Sequence, residues 1–288
     1  MDSIEIPSVA LLEQHHLQVE EIRSICKALQ IPLGWHYLLD LVWTHNKLQP
    51  KSGMVVLDAG AGYGPMQWWL AAKGVSVVSV DRSNRSVPPT RFRDWTILKG
   101  LREEDLTKAS RWIDWKKSMW NLFGKAPCRR NDASDRGTVS FYHQDLTSLR
   151  DLPSNSFDAI VSISALEHNA PNLLREIVTE LLRVLQPGQP LLATLHAAKE
   201  RDWFHEPSKG WCYTEGSLRK LFRLEPGATS NYHEYDFLMQ NLRDSAELRK
   251  NLDPVYFQSG RSGMPWGVWN PEYQPVGIMK IKAQANRT

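Results

Sequence analysis

Cysteine is scarce in this chain: 288 residues hold three, Cys26, Cys128 and Cys212, with no close pairing and no metal-ligand spacing. That excludes a disulfide scaffold and a thiolate metal module, and it points to a reduced, cytoplasmic compartment. Long apolar runs are also missing. Nothing approaches the roughly 18–20 residues that span a bilayer, and the first residues lack the basic and apolar regions of a signal peptide, so the reading is of a soluble protein. Charge of one sign is nowhere banked. The net charge is +3, Lys and Arg are scattered, and short groups such as Arg129-Arg130 read as solvated loop, which argues against a nucleic-acid partner. No fixed-period repeat or low-complexity tract is present.

What the sequence does have is one organising stretch, Val55-Val56-Leu57-Asp58-Ala59-Gly60-Ala61-Gly62-Tyr63-Gly64-Pro65. An apolar run, three glycines at alternate positions and a helix-like segment from Met66 to Lys73 read as strand, tight loop and helix. Glycines there let backbone N–H groups approach a ligand at a helix N-terminus. A dinucleotide site would place its third glycine at position 65, where Pro65 stands. The second strand, Val75 to Val80, delivers Asp81 at its end, where a carboxylate can accept both hydroxyls of a ribose; the bland alternative is an Asp capping the next turn.

Elsewhere, Val19, Ile22, Cys26 and Leu29 share a helical face, and a second helix is expected from Gly34 to Asn46. Pro32 separates the two. The next strand after Asp81, Thr138 to His143, starts only after some 55 residues. That excess reads as a helical cap insertion over about 85–137, because Trp112, Trp115, Met119 and Leu122 recur with helical spacing. Asp145 follows the third strand. The first half of the stretch Ser156 to Asn169 reads as the fourth, buried strand and its second half as the sheet edge that meets ligands, followed by an amphipathic helix from Leu173 to Leu185, a stop at Gln186 to Gln189 and a strand from Pro190 to His196. A further helix is expected from Glu215 to Phe222. The stretch from Leu224 to Tyr273 reads as irregular, and Val276 to Ile281 closes the sheet.

The order D-x-G-x-G-x-G at Asp58 to Gly64, Asp81, and "LP…FDAIVS…LEH" from Leu152 to His168 resembles the class I S-adenosylmethionine-dependent methyltransferases of the small-molecule type. The likeness covers roughly residues 50–81 and 138–222. It implies an α/β fold: a Rossmann-like, doubly wound, seven-stranded sheet with its last strand antiparallel, carrying N-terminal helices (1–49) as a lid and an acceptor-side region at about 224–273. It implies S-adenosylmethionine as cofactor. Asp58, Gly60, Ala61, Gly62 and Gly64 would curve round its amino-acid end, Asp81 would meet the ribose, and Asp145 would accept the adenine amine, with the Leu146 backbone N–H at a ring nitrogen and Arg82 and Ser164 completing the set. Asp145 as a mere turn former is the alternative. Gln189, where the family has a second glycine, is the departure at the strand-five turn.

Only an acceptor that must lose a proton needs a base. His168 is the first candidate, at the edge of strand four with an imidazole that titrates near neutrality. His196 and His233 are the alternatives, and the family histidine can also be a pocket wall. A metal centre from Glu167, His168, His196 and Asp202 matches no ligand pattern, so none is expected. Trp35, His36 and Tyr37 are candidate lid residues. Ten of the twelve tryptophans, at positions 35, 43, 95, 112, 115, 120, 203, 211, 266 and 269, lie outside the motif elements. Flat aromatic surfaces suit sugar rings or planar metabolites. The expected function is O-methylation of a small molecule or glycan by a monomer or homodimer; the alternative is a non-catalytic S-adenosylmethionine-binding partner subunit. The N-methylase signature [DNS]-P-P-[YFW] is absent after strand four.

Overall fold

The order of strands in one sheet explains where the site lies. The computed structural model describes residues 1–85, 90–98, 137–251, 260–265 and 267–284, with backbone alone given for 93–98 and 251. The chain opens with β1 (Ser3–Glu5), α1 (Ala10–Gln14), α2 (His16–Leu29) and α3 (Tyr37–Leu48). β2 (Val55–Ala59), α4 (Pro65–Ala72), β3 (Ser76–Asp81), β4 (Thr96–Leu98) and β5 (Val139–His143) follow. The second half runs β6 (Ala159–Ile163), α5 (Pro171–Val184), β7 (Pro190–Ala197), β8 (Trp203–His205), β9 (Gly210–Tyr213), α6 (Glu215–Leu221), β10 (Thr229–Ser230), α7 (Tyr235–Arg243), α8 (Ala246–Asn251) and β11 (Gln274–Ile281).

The sheet runs β10-β1-β11-β7-β6-β2-β3-β5-β4, with β8 and β9 attached beside β7. From β4 to β7 all pairings are parallel, and β11 runs antiparallel to β7 over eight residue pairs. Parallel strands covered on both faces need continuous apolar sequence, and β2, β6 and β7 supply it with Leu57, Ile160, Val161, Leu191 and Leu192, all fully buried. The strand order reverses at β2, which lies between β3 and β6. An open sheet of this kind offers its ligand crevice there, beyond the carboxyl ends of the strands. The loops after β2 and β6, Gly60 to Gly64 and Ser164 to Asn169, border that crevice.

The expected elements form within a few residues of their expected ends, and α2 buries Val19, Ile22, Cys26 and Leu29 as its periodicity requires. Three features differ. The sheet has eleven strands among the described residues rather than seven. The N-terminal stretch is not helical alone: β1 pairs with both β11 and β10, and at three residues it carries no local signal. The stretch 224–273 contains α7 and α8, whose short apolar faces are broken by charged residues. Trp43 also differs from its expected role. It lies 1% exposed against β11, where a Cβ on Gly277 would come within 2.4 Å of its ring, so this tryptophan docks α3 on the sheet. Among the ten tryptophans, positions 112, 115, 120 and 266 and the proposed cap helix lie outside the described residues.

Candidate active site

Three cavities meet at Ser164. The first, about 340 Å³, is lined by Asp58, Gly60, Ala61, Gly62, Gly64 and Tyr37, among others. The second, about 260 Å³, is lined by Gly60, Asp81, Arg82, Asp145, Leu146 and His168. The third, about 400 Å³, is lined by Trp35, His36, Tyr37, His168, His196, Lys209 and Tyr273. Ser164 lines all three, and Gly60 the first two. Every cofactor-site residue nominated by the sequence therefore borders one of two adjoining cavities. Ser164 itself has φ of 45°, an uncommon conformation for a residue with a side chain. Such outliers persist where the surroundings enforce them: its Oγ donates to Glu167 Oε1 at 2.6 Å, and its N–H to Thr194.

The glycine loop needs glycine for two separate reasons. Gly60 sits at φ 74°, and a Cβ there would lie 2.7 Å from the Cβ of Ala165 in the neighbouring loop. Gly62 sits at φ 48° and its N–H donates to Asp81 Oδ2 at 2.8 Å. The loop carbonyls are held from inside: Gln67 Nε2 donates to Gly62 and Gly64 at 3.2 and 3.1 Å, and Ser79 Oγ donates to Gln67 Oε1 at 2.8 Å. Arg85 completes this brace. It is 2% exposed, donates to the carbonyls of Gly62 and Ser79 at 2.8 Å each and to Ser79 Oγ at 2.6 Å, and stacks 4.3 Å over the Phe141 ring. Sequence reading missed Arg85, since one arginine in a turn looks solvated; the buried Ser79 and Gln67 facing it were the only signal.

Asp58 is 2% exposed, and burial pushes its carboxyl up to about 7, against the pull of Arg85 and with a further push from Asp81. Asp81 accepts from Gly62 at one oxygen and from the Ser83 N–H at the other, 2.7 Å, so it braces the turn while keeping lone pairs toward the second cavity. Asp145 accepts from the Thr147 N–H at 2.9 Å and hydroxyl at 2.7 Å, a turn-forming arrangement on an exposed residue that also faces the second cavity. At both positions the turn-forming and cavity-facing readings hold together.

The histidines separate by geometry. His168 is exposed, and its Nδ1 lies 2.9 Å from the Lys209 carbonyl. A carbonyl can only accept, so Nδ1 carries a proton, and in the neutral ring the lone pair is on Nε2. His196, 1% exposed, points Nε2 at Glu167 Oε1, 3.2 Å away, and Gly210 closes on its other edge: a Cβ there would lie 3.1 Å from Nδ1. Burial pushes the His196 imidazole well down and the Glu167 carboxyl up, so both favour their neutral forms. His233 is exposed on the turn before α7 and lines none of these cavities. Among the described residues no group of three or more His, Cys, Asp and Glu could hold a metal ion, and no helix is long and apolar enough to cross a membrane.

The profile of a family described as a methyltransferase domain matches residues 114–193. The match starts beyond the glycine loop and takes in β5, β6, α5 and the start of β7. Among solved structures, the chain is similar to the [4+2]-cyclase SpnF (15% identity, 99% of this chain and 100% of that one, TM-score 0.49). It is also similar to the 1,6-didemethyltoxoflavin-N1-methyltransferase of Burkholderia thailandensis, solved with bound 1,6-didemethyltoxoflavin and S-adenosylhomocysteine (18%, 74% and 75%, TM-score 0.41). A third is a SAM-dependent methyltransferase from Aquifex aeolicus (18%, 85% and 90%, TM-score 0.41). No curated protein matches the sequence. Residues 114–193 thus resemble a methyltransferase domain, and the sheet that holds them is mostly parallel with β11 antiparallel beside β7.

Proposed function

We propose that this protein transfers a methyl group from S-adenosylmethionine to a hydroxyl of a small molecule or sugar seated in the third cavity, with His168 as the base. The observation that carries the reading is the meeting of three cavities at Ser164, two lined by the motif residues and one by polar and aromatic groups. Residues present fit the cofactor: positive φ at Gly60 and Gly62, and the contact that any Cβ on Gly60 would make with Ala165, leave a bare backbone cradle. In this reading Asp58, Gly60, Ala61, Gly62 and Gly64 hold the amino-acid end, Asp81 and Arg82 the ribose, and Asp145 and Leu146 the adenine, with Ser164 at the junction.

Bound S-adenosylmethionine supplies an electrophilic methyl on a positively charged sulfur. The chain's work is to align the acceptor, exclude water and receive a proton. Asp58 places a carboxyl beside the cofactor's amino-acid end. His168 borders both the second and third cavities, and its Nε2 lone pair is the proton acceptor, with the Lys209 carbonyl fixing the tautomer. A partner subunit that only bound the cofactor would have no use for such an imidazole.

The test is methyl incorporation from tritiated cofactor into fractionated cell extract, followed by kinetics on the acceptor found. His168→Gln should lower turnover by roughly 10²- to 10⁴-fold with unchanged cofactor affinity. Near-normal turnover with a raised acceptor KM would make His168 a pocket wall instead.

A further inference from the structure

A second imidazole of the same design faces the third cavity. His36 precedes α3, and its Nδ1 lies 2.6 Å from Asp40 Oδ2, one helical turn on. Both side chains are buried, at 6% and 0% exposure. With Nδ1 donating to Asp40 Oδ2, the acceptor of the neutral ring is Nε2, and no described group is hydrogen-bonded to it. His36 and His168 both lie edge-on to the His196 ring, at 5.5 and 6.5 Å between centroids. His196 is occupied by Glu167 and closed by Gly210. The cavity therefore presents two imidazole acceptors, and none of its lining residues is an acid. Its walls are flat: Trp35 lies 5.1 Å from the Tyr273 ring, which stacks at 3.9 Å on His196.

One imidazole suffices to receive the proton of the methylated hydroxyl. The second, held rigidly by a buried carboxylate whose other oxygen has no partner, is matched to a further donor on the same molecule. We propose that His36 Nε2 accepts a hydrogen bond from a second hydroxyl of the acceptor, so that the substrate class is a ring bearing at least two hydroxyl groups, one methylated and one anchored. Asp40 is the positioning residue that fixes the imidazole. The proposal rests on the reading of the third cavity as the acceptor site.

Histidine side-chain resonances of the ¹⁵N-labelled protein, saturated with S-adenosylhomocysteine, test it with defined probes. Catechol and phenol form a planar pair with two and one hydroxyls; methyl α-glucopyranoside and cyclohexanol form a puckered pair. In one pair the polyhydroxylated member should bind about tenfold tighter or more and shift both His36 and His168, the step expected from one extra hydrogen bond. Whichever pair shows it separates a phenolic from a sugar acceptor. His36→Phe should erase the preference without changing S-adenosylhomocysteine affinity, and Asp40→Asn, which keeps the ring, should reduce it and alter the His36 Nδ1 resonance. If both members of each pair bind alike and only His168 shifts, the role of His36 is overturned while that of His168 stands. If no probe moves either histidine, the third cavity is not the acceptor site and both readings fall.

Discussion

On the proposed cofactor side of Ser164 the polar groups are braced to one another within a short span of chain, from Asp58 to Arg85. On the proposed acceptor side they are gathered from several distant stretches: His36 and Asp40 before and in α3, Glu167 and His168 after β6, His196 in β7, Lys209 and Gly210 at β9, and Tyr273 before β11. The first side is built from backbone and hydrogen bonds, with Arg85 and Gln67 holding carbonyls from beneath. The second is built from rings and imidazoles whose tautomers are set by single partners. A loop that must present bare N–H groups requires an internal frame. A pocket that must recognise a particular acceptor can take its groups from wherever the fold brings them, and loops of this kind vary most readily.

The comparison is broken hardest by removing the brace. Arg85→Met strips a buried guanidinium from the Gly62 and Ser79 carbonyls and from the neighbourhood of Asp58 and Asp81, and should cost about 3–5 kcal/mol of stability. Cofactor affinity should fall with it, as read by denaturant unfolding and calorimetry. A loss under 1 kcal/mol would mean that the loop holds its shape unaided.

Asp58 sharpens the contrast through pH. Its folded-state value of about 7 stands above the ordinary carboxylate value of 3.8. Between those values the folded protein binds more protons than the unfolded chain, so stability from this group falls as pH rises from 4 to 7, and the full cost, on the order of 2–4 kcal/mol, is present above 7. Asp58→Asn should therefore raise the melting temperature at pH 8, do little near pH 4, and weaken cofactor binding. Equal effects at both pH values would contradict the burial argument.

Smaller effects are expected where the second cavity opens to solvent. Asp81→Ala and Asp145→Asn should each lower cofactor affinity by about 1–3 kcal/mol with the fold intact by circular dichroism. Asp81 should have the larger effect, since it also holds the Gly62 N–H. On the acceptor side, Gly210→Ala pushes a methyl to within 2.9 Å of the His196 ring and 3.1 Å of Glu167. It should destabilise by about 1–2 kcal/mol and raise the acceptor KM while leaving cofactor affinity unchanged. A variant that shifted cofactor affinity instead would show that the two sides are not separable.

The same contrast explains what could be read in advance. β2, the glycine loop, Asp81 and the strand with its LEH turn carry their signals locally, in apolar runs, glycine spacing and strand-end carboxylates. β1 has three residues and forms only because β11 and β10 flank it. Arg85 looks like loop arginine until Ser79 and Gln67 are seen beneath it. His36 and Asp40 carry a helical i, i+4 spacing that sequence offers in many surface helices, and only burial of both, facing the cavity, gives it meaning. His196 drew attention as an alternative base, yet Gly210, fourteen residues away, shuts it off.

The central claim is that the crevice beyond β2 and β6 is an S-adenosylmethionine site. Titration calorimetry of the 288-residue chain with S-adenosylmethionine, S-adenosylhomocysteine and NAD, repeated on Gly60→Val, tests it most directly. The account predicts that both sulfur ligands bind, that NAD does not compete, and that Gly60→Val abolishes binding because its side chain meets Ala165. Preferential binding of NAD, or undiminished affinity in Gly60→Val, would contradict it.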